Sequence, residues 1–248
     1  MTAVLLTVDV EGDHGGERLR GVDEALPPLL DLLEELGAKA VFFVVGAVAR
    51  QRPEVIRGLV ARGHTVGSHT MTHPALSRVA PARLDLELRD SRSLLQDVTG
   101  AACVAFRAPF FDAPLTLGPR LEEAGYTWSS SKAPFSMVAK YRHLFERKPH
   151  TLAGSQVKER PVPGVLGLPI PEGLSYHRLF WPLPALARTP PSVFYWHPAD
   201  LLEDTDASHY GAVARRLVKM REGAWSRAYL QRLLGGWKAR GATFEAKV

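Results

Sequence analysis

Four short stretches of this chain carry side chains whose types and spacing suit hydrolytic chemistry. Asp9 and Glu11 stand two apart after an apolar run and are followed by Asp13 and His14 in DVEGDHGG. His69 and His73 form an HxxxH pair in GSHTMTHP, Arg107 lies in AFRAPFF, and His197 lies in YWHPADL. In an extended chain, residues two apart point the same way, so Asp9 and Glu11 can share one site. Carboxylates that close repel unless a cation sits on one of them. On a helical turn, histidines four apart share a face and can hold one ion, with a carboxylate from elsewhere completing the set. The pattern suggests Glu11, His69 and His73 as metal ligands and Asp9 as general base. Arg107 could pair bidentately with a carboxylate and hold it ionised, and His197 could serve as a general acid near neutral pH. Each residue also has a structural reading. The acids could cap the turn after a strand, Arg107 could be an ordinary ion pair, and His197 a satisfied core histidine. Asp13 and His14 lie close enough in sequence to touch a substrate, or form only a polar, glycine-rich turn.

These residues need a scaffold, and the apolar pattern supplies one. VLLTV (4–8), AVFFVV (40–45), HTVGSH, ACVAF (102–106), VLGLPI (165–170), SVFYW (192–196) and ATFEAKV read as strands. Leucines at 26, 29, 30, 33 and 36 recur at helical spacing before Gly37, and the windows 53–63, 81–100, 114–126, 206–221 and 226–239 also read as helices. Strand and helix alternating through short connections is the signature of right-handed βαβ units on a parallel sheet. The expected fold is α/β, a distorted (β/α) barrel of seven or eight parallel strands in one domain spanning 1–248. The basic, proline-dotted segment 132–164 is expected to be an inserted loop or lid. DVEGDH, SHTMTHP, RAPFFD and HPADL each follow a strand, so they share the carboxyl-end rim where such folds keep their chemistry.

Composition narrows the function classes. With 46% hydrophobic and 23% charged residues, the chain is an ordinary globular protein rather than a disordered one. The 31 Lys+Arg exceed the 26 Asp+Glu by five, but the excess is scattered, which speaks against nucleic acid and leaves room for an anionic substrate or a peripheral membrane contact. Cys103 is the single cysteine, so there is no internal disulfide, and its apolar surroundings suggest a buried thiol. The first residues have no basic region before the apolar run and no stretch of spanning length, so the expected location is cytoplasmic.

Taken in order, these stretches resemble the polysaccharide deacetylase family, the metal-dependent de-N-acylases with a NodB homology domain, similar to carbohydrate esterase family 4. TVDVE resembles the first family motif, GSHTMTHP the H-[ST]-x-x-H-P motif, and FRAPFF the R-x-P-[YF] motif. LGLPI and YWHPADL resemble the late motifs. The resemblance covers nearly the whole chain. It implies a distorted barrel and hydrolysis of an N-acyl amide, acetyl or formyl, on an amino sugar, free or carried on a lipid or nucleotide, by water activated at a divalent ion. Zinc suits the donors first, with cobalt, manganese or iron as alternatives. The family roles fall on Asp9 as base, Glu11, His69 and His73 as ligands, Arg107 as support for the base and His197 as acid. The Phe110 N–H would bind the oxyanion, and Leu168 would form an apolar pocket wall. Rival readings are an allantoinase-like hydrolase of other linear or cyclic amides, and a non-catalytic binding module. Two departures stand out. Ser129 and Ser130 occupy the place where many members carry an aspartate that tunes the acid histidine, and His64, where members often have glutamate, is expected to be a partly exposed structural residue.

Overall fold

The computed structural model describes residues 2–136, 138–208 and 211–246. Its strands are β1 (Ala3–Val10), β2 (Ala40–Val44), β3 (Thr65–Ser68), β4 (Ala105–Phe106), β5 (Trp128–Ser129), β6 (His150–Thr151), β7 (Lys158–Glu159), β8 (Val193–Trp196) and β9 (Thr243–Phe244). They form one sheet in the order β6-β7-β5-β4-β3-β2-β1-β8, with β9 added at the start of β1. All pairings are parallel except β6 with β7. Among the described residues β6 and β8, the two ends of that order, do not pair, which leaves the barrel open there.

The helices are α1 (Leu26–Glu35), α2 (Gly46–Gln51), α3 (Pro53–Ala61), α4 (Pro81–Thr99), α5 (Leu117–Glu123), α6 (Leu174–Leu179), α7 (Ala212–Val218) and α8 (Ala224–Ala239). Prolines open α3 and α4, where a missing N–H costs nothing, and Gly100 closes α4 in the left-handed region at φ 67°. None of the described helices is long and apolar enough to cross a membrane.

The alternation of β1 decides where the chemistry sits. Val4, Leu6, Val8 and Val10 join the larger core against the helices, with Leu26, Leu29, Leu33, Phe42 and Val44. Leu5 points the other way, into a smaller core with Phe43, Ala105, Phe111, Trp128 and Tyr195 inside the curl of the sheet. With a side-chain period of two, Thr7 and Asp9 follow Leu5 onto that inner face, and both are buried. Gly67 in β3 lets this interior close: a Cβ there would stand 2.8 Å from the Phe43 ring.

Several expected elements differ. The stretch 165–170 is a 3-10 turn (Val165–Gly167) and not a strand. The segment 132–164 is not simply a lid, because β6 and β7 lie within it and β7 extends the sheet beside β5. At two residues each, these strands are too short to show a periodicity. The helix expected near 206–221 is the shorter α7, with residues 209 and 210 outside the described residues, and the last strand stops at Phe244, with 247 and 248 likewise outside. Helices α2 and α6, of six residues each, were not expected. His64 is buried rather than partly exposed: its Nδ1 accepts the Ala40 N–H at 3.2 Å and its ring stands edge-on to Phe42. Burial among Lys39 and Arg62 lowers it to about 4. Cys103 is buried as expected, and burial pushes its thiol up to about 12.

Candidate metal centre and its catalytic groups

The carboxyl ends of β1, β3, β4 and β8 bring the sequence-distant candidates together. Glu11, His69 and His73 each offer a ligand atom, all within 4.8 Å of one another. Glu11 Oε2 stands 2.5 Å from His73 Nε2 and 3.6 Å from His69 Nε2, and the two imidazoles meet at 4.9 Å between centroids. The pair does not lie on a helical turn, as its spacing suggested. Thr70 at φ 66° and His73 at φ 61° fold the segment back in left-handed turns. Local bonds hold this backbone: the His73 N–H donates to Thr70 Oγ1 at 3.0 Å, and the buried Glu87 of α4 accepts the Met71 N–H at 2.9 Å, the Thr72 N–H at 2.7 Å and the Thr72 hydroxyl at 2.6 Å. Sequence reasoning missed Glu87; as an acid inside the amphipathic window 81–100, it looked like any solvated helix residue.

The donor set fits a divalent ion on two observations. His69 Nδ1 is bonded to the Arg107 carbonyl at 2.8 Å, which can only accept, so Nδ1 carries a proton and Nε2 is the nitrogen turned toward Glu11. His73 Nε2 is buried and has no hydrogen-bond partner, despite its close approach to Glu11. Burial alone would raise the Glu11 carboxyl, but His73, His69 and His197 together hold it well below the usual carboxylate range. That keeps it an anion, as a ligand must be.

Asp9 lies beside this centre, 3% exposed. Arg107 reaches it from the end of β4 with a single contact, Nη1 to Oδ1 at 2.8 Å, rather than the bidentate pair expected. The rest of the guanidinium is occupied: Nη1 also donates to Thr7 Oγ1 at 3.0 Å, Nε to the Ser130 carbonyl at 2.8 Å and Nη2 to Ser130 Oγ at 2.8 Å. Its cation lies 4.4 Å from the Phe43 ring centroid, with Phe111 and Tyr195 farther out. Ser130 therefore serves the arginine, not the histidine. His197, half-buried at the end of β8, holds Nε2 3.9 Å from both Asp9 Oδ2 and Glu11 Oε1. Burial works against its charge, yet Asp200, Glu11 and Asp9 raise it to about 9.

The remaining candidates divide. Phe110 is exposed and packs edge-on against His73 at 4.7 Å, at φ 57°. Leu168 is exposed on the loop after the 165–167 turn. Asp13 is buried and bonded to the backbone: its Oδ2 accepts the Arg20 N–H at 3.0 Å and its Oδ1 the Gly21 N–H at 2.8 Å, so both oxygens cap the chain entering α1. Burial raises its carboxyl despite these bonds. His14 Nε2 is 2.8 Å from Thr205 Oγ1 of the same chain, itself tied to Glu222.

A profile of the polysaccharide deacetylase family matches residues 2–129, just over half of the chain. The chain belongs to the polysaccharide deacetylase family. Within it, a chitooligosaccharide deacetylase of Sinorhizobium fredii is 41% identical over 109 residues, 42% of this chain and 50% of that protein. A chitooligosaccharide deacetylase of a Bradyrhizobium species is 44% identical over 85 residues, 34% of this chain and 39% of that protein. The chain thus spans about half, or less, of the curated relatives it matches. Among solved structures, a family 4 carbohydrate esterase from Streptomyces lividans in complex with acetate superposes with a TM-score of 0.60 at 17% identity, covering 98% of this chain and 91% of that one. A polysaccharide deacetylase from Bacillus cereus gives 0.58 at 21% identity, covering 100% and 93%. At these identities the likeness is one of fold, and it bears out the distorted parallel barrel expected for a polysaccharide deacetylase.

Proposed function

We propose that this polysaccharide deacetylase is a metal-dependent hydrolase that removes an N-acyl group, acetyl or formyl, from an amino sugar. One observation carries the reading: a Glu-His-His cluster stands beside a histidine whose Nε2 is 3.9 Å both from its glutamate and from a buried, arginine-held carboxylate. Relatives named chitooligosaccharide deacetylase and peptidoglycan-N-acetylglucosamine deacetylase support the choice of amide. Glu11, His69 and His73 would hold a divalent ion, zinc first for imidazole and carboxylate donors, with cobalt, manganese or iron as alternatives. When bound, such an ion supplies Lewis-acid polarisation of the amide carbonyl and lowers the pKa of water.

The chain's own groups do the rest. Asp9 takes a proton from the attacking water as the new C–O bond forms, and Arg107 holds that carboxylate in place through Nη1. The Phe110 N–H donates to the oxyanion that develops on the former carbonyl oxygen. His197 delivers a proton to the nitrogen as the C–N bond breaks, so that an amine leaves rather than an amide anion. Leu168 forms an apolar wall for the acyl methyl. Tyr141 and Phe145, exposed near Arg142 and Lys148, suit a substrate attached to an acyl or phosphate carrier and a peripheral contact with a membrane. A cytoplasmic location belongs to the same reading.

The test supplies zinc or cobalt and measures acetate and formate released from chitooligosaccharides and from carrier-linked amino sugars, with ring opening of ureides as a parallel assay. Release that disappears in Glu11→Gln is the expected result. No turnover of any sugar amide, or turnover of ureides alone, rejects the reading.

A further inference from the structure

The acid histidine has a partner in an unexpected place. His197 Nδ1 lies 3.4 Å from Asp200 Oδ2, and the same oxygen accepts the His197 N–H at 3.1 Å. The Asp200 N–H returns a bond to the His197 carbonyl at 3.0 Å. Asp200 is itself buried, and its Oδ1 receives Arg178 Nη1 at 2.6 Å, while Ser175 Oγ stands 3.0 Å from each oxygen. Arg178 is buried too, and is fixed by Nε to the Met220 carbonyl at 2.9 Å and by Nη2 to the Val218 carbonyl.

A carboxylate that only capped the turn after His197 would need the backbone N–H and nothing more. Here the second oxygen is clamped by a buried arginine from α6, so the carboxylate cannot swing away without stranding that charge. The clamp leaves Oδ2 on the ring, and a carboxylate at Nδ1 fixes which nitrogen carries the proton and where the ring points. The other nitrogen then faces Asp9 and Glu11. Ser129, at the end of β5, and Ser130, just after it, are committed elsewhere: Ser129 Oγ to Ser131 Oγ at 2.8 Å and Ser130 to Arg107.

We propose that Asp200, held by Arg178, is the positioning residue of His197, replacing from the turn after β8 the aspartate that Ser129 and Ser130 do not supply. The inference rests on the deacetylase reading for its kinetic consequence but not for its structural one. Two measurements therefore separate the failures. In the zinc-loaded protein acting on a chitooligosaccharide, Asp200→Asn should lower kcat by roughly 10–100-fold, with KM and bound zinc unchanged. Proton and nitrogen NMR of the wild type should show a downfield Nδ1–H resonance, assigned by its loss in His197→Ala and shifted upfield in Asp200→Asn. A wild-type spectrum without that resonance overturns the proposal, whether or not Asp200→Asn folds. So does a folded Asp200→Asn with unchanged kcat. An intact resonance in a protein that turns over no sugar amide rejects the deacetylase reading alone.

Discussion

The buried Arg107–Asp9 pair offers the most direct check on how the interior is held together. Arg107→Met removes the guanidinium and leaves the buried Asp9 carboxylate without its cation, with His197 Nε2 3.9 Å away. Removing one partner of a buried pair costs about 3–5 kcal/mol. The Ser130 carbonyl and hydroxyl lose their donors as well, at about 1–3 kcal/mol together. The sum, roughly 4–8 kcal/mol, is a large share of the about 5–15 kcal/mol that holds a domain folded. Asp9→Asn should cost less, about 1–3 kcal/mol, because Arg107 keeps Ser130, Thr7 and the Phe43 ring. In the double variant no carboxylate is stranded, so its cost should fall below the sum of the single costs by about 1–3 kcal/mol. Urea unfolding followed by tryptophan fluorescence measures all three. Costs that add to within about 0.5 kcal/mol would refute the claim that these side chains depend on each other.

Other expectations are independent of that pair. Glu11→Gln, His69→Ala and His73→Ala should each lose bound zinc on gel filtration, and the added stability of the loaded wild type, about 2.7 kcal/mol at a hundredfold excess over Kd, should vanish with chelator. An equally stabilised His73→Ala would contradict the ligand set. Asp13→Ala should destabilise by about 1–2 kcal/mol through the lost cap and leave KM for sugar amides unchanged; a raised KM would return Asp13 to the substrate rim. His64 is neutral when folded, with its value lowered from 6.5 to about 4. The unfolded chain therefore binds the extra proton first: stability is full above pH 6.5 and falls as pH drops through that value toward 4. His64→Asn keeps an acceptor for the Ala40 N–H, so its urea midpoint should change less than wild type between pH 7.5 and 4.5; equal changes would remove His64 from the acid limb.

Much of the site was legible because its logic is local. Asp9 and Glu11 share a face by the period of a strand, and the HxxxH string, the R-x-P string and the histidine after an apolar run each follow a strand whose carboxyl end fixes their side of the sheet. What the sequence misjudged depends on contacts between distant segments. His69 and His73 meet through left-handed turns at Thr70 and His73 braced by Glu87, not through a helix, and no spacing rule distinguishes the two. Asp13 and Asp9 look alike on paper, yet one is spent on backbone N–H groups and the other faces an arginine ninety-eight residues away.

Asp200 marks the same boundary. An acid three residues after a strand-end histidine was visible in HPAD, but its weight comes from Arg178 and Ser175 on α6, which only packing brings to it. The sequence by itself determined the alternation of strands and helices, the rim on which the polar groups collect and which three residues were candidates for a ligand set, because periodicity and strand direction are properties of short stretches. The tertiary structure decided which oxygens are free, how Arg107 is shared among Asp9, Thr7 and Ser130, and that the segment 132–164 adds strands to the sheet. A hydrogen-bonding group can satisfy only the neighbours that folding delivers, and those neighbours are set by the whole chain.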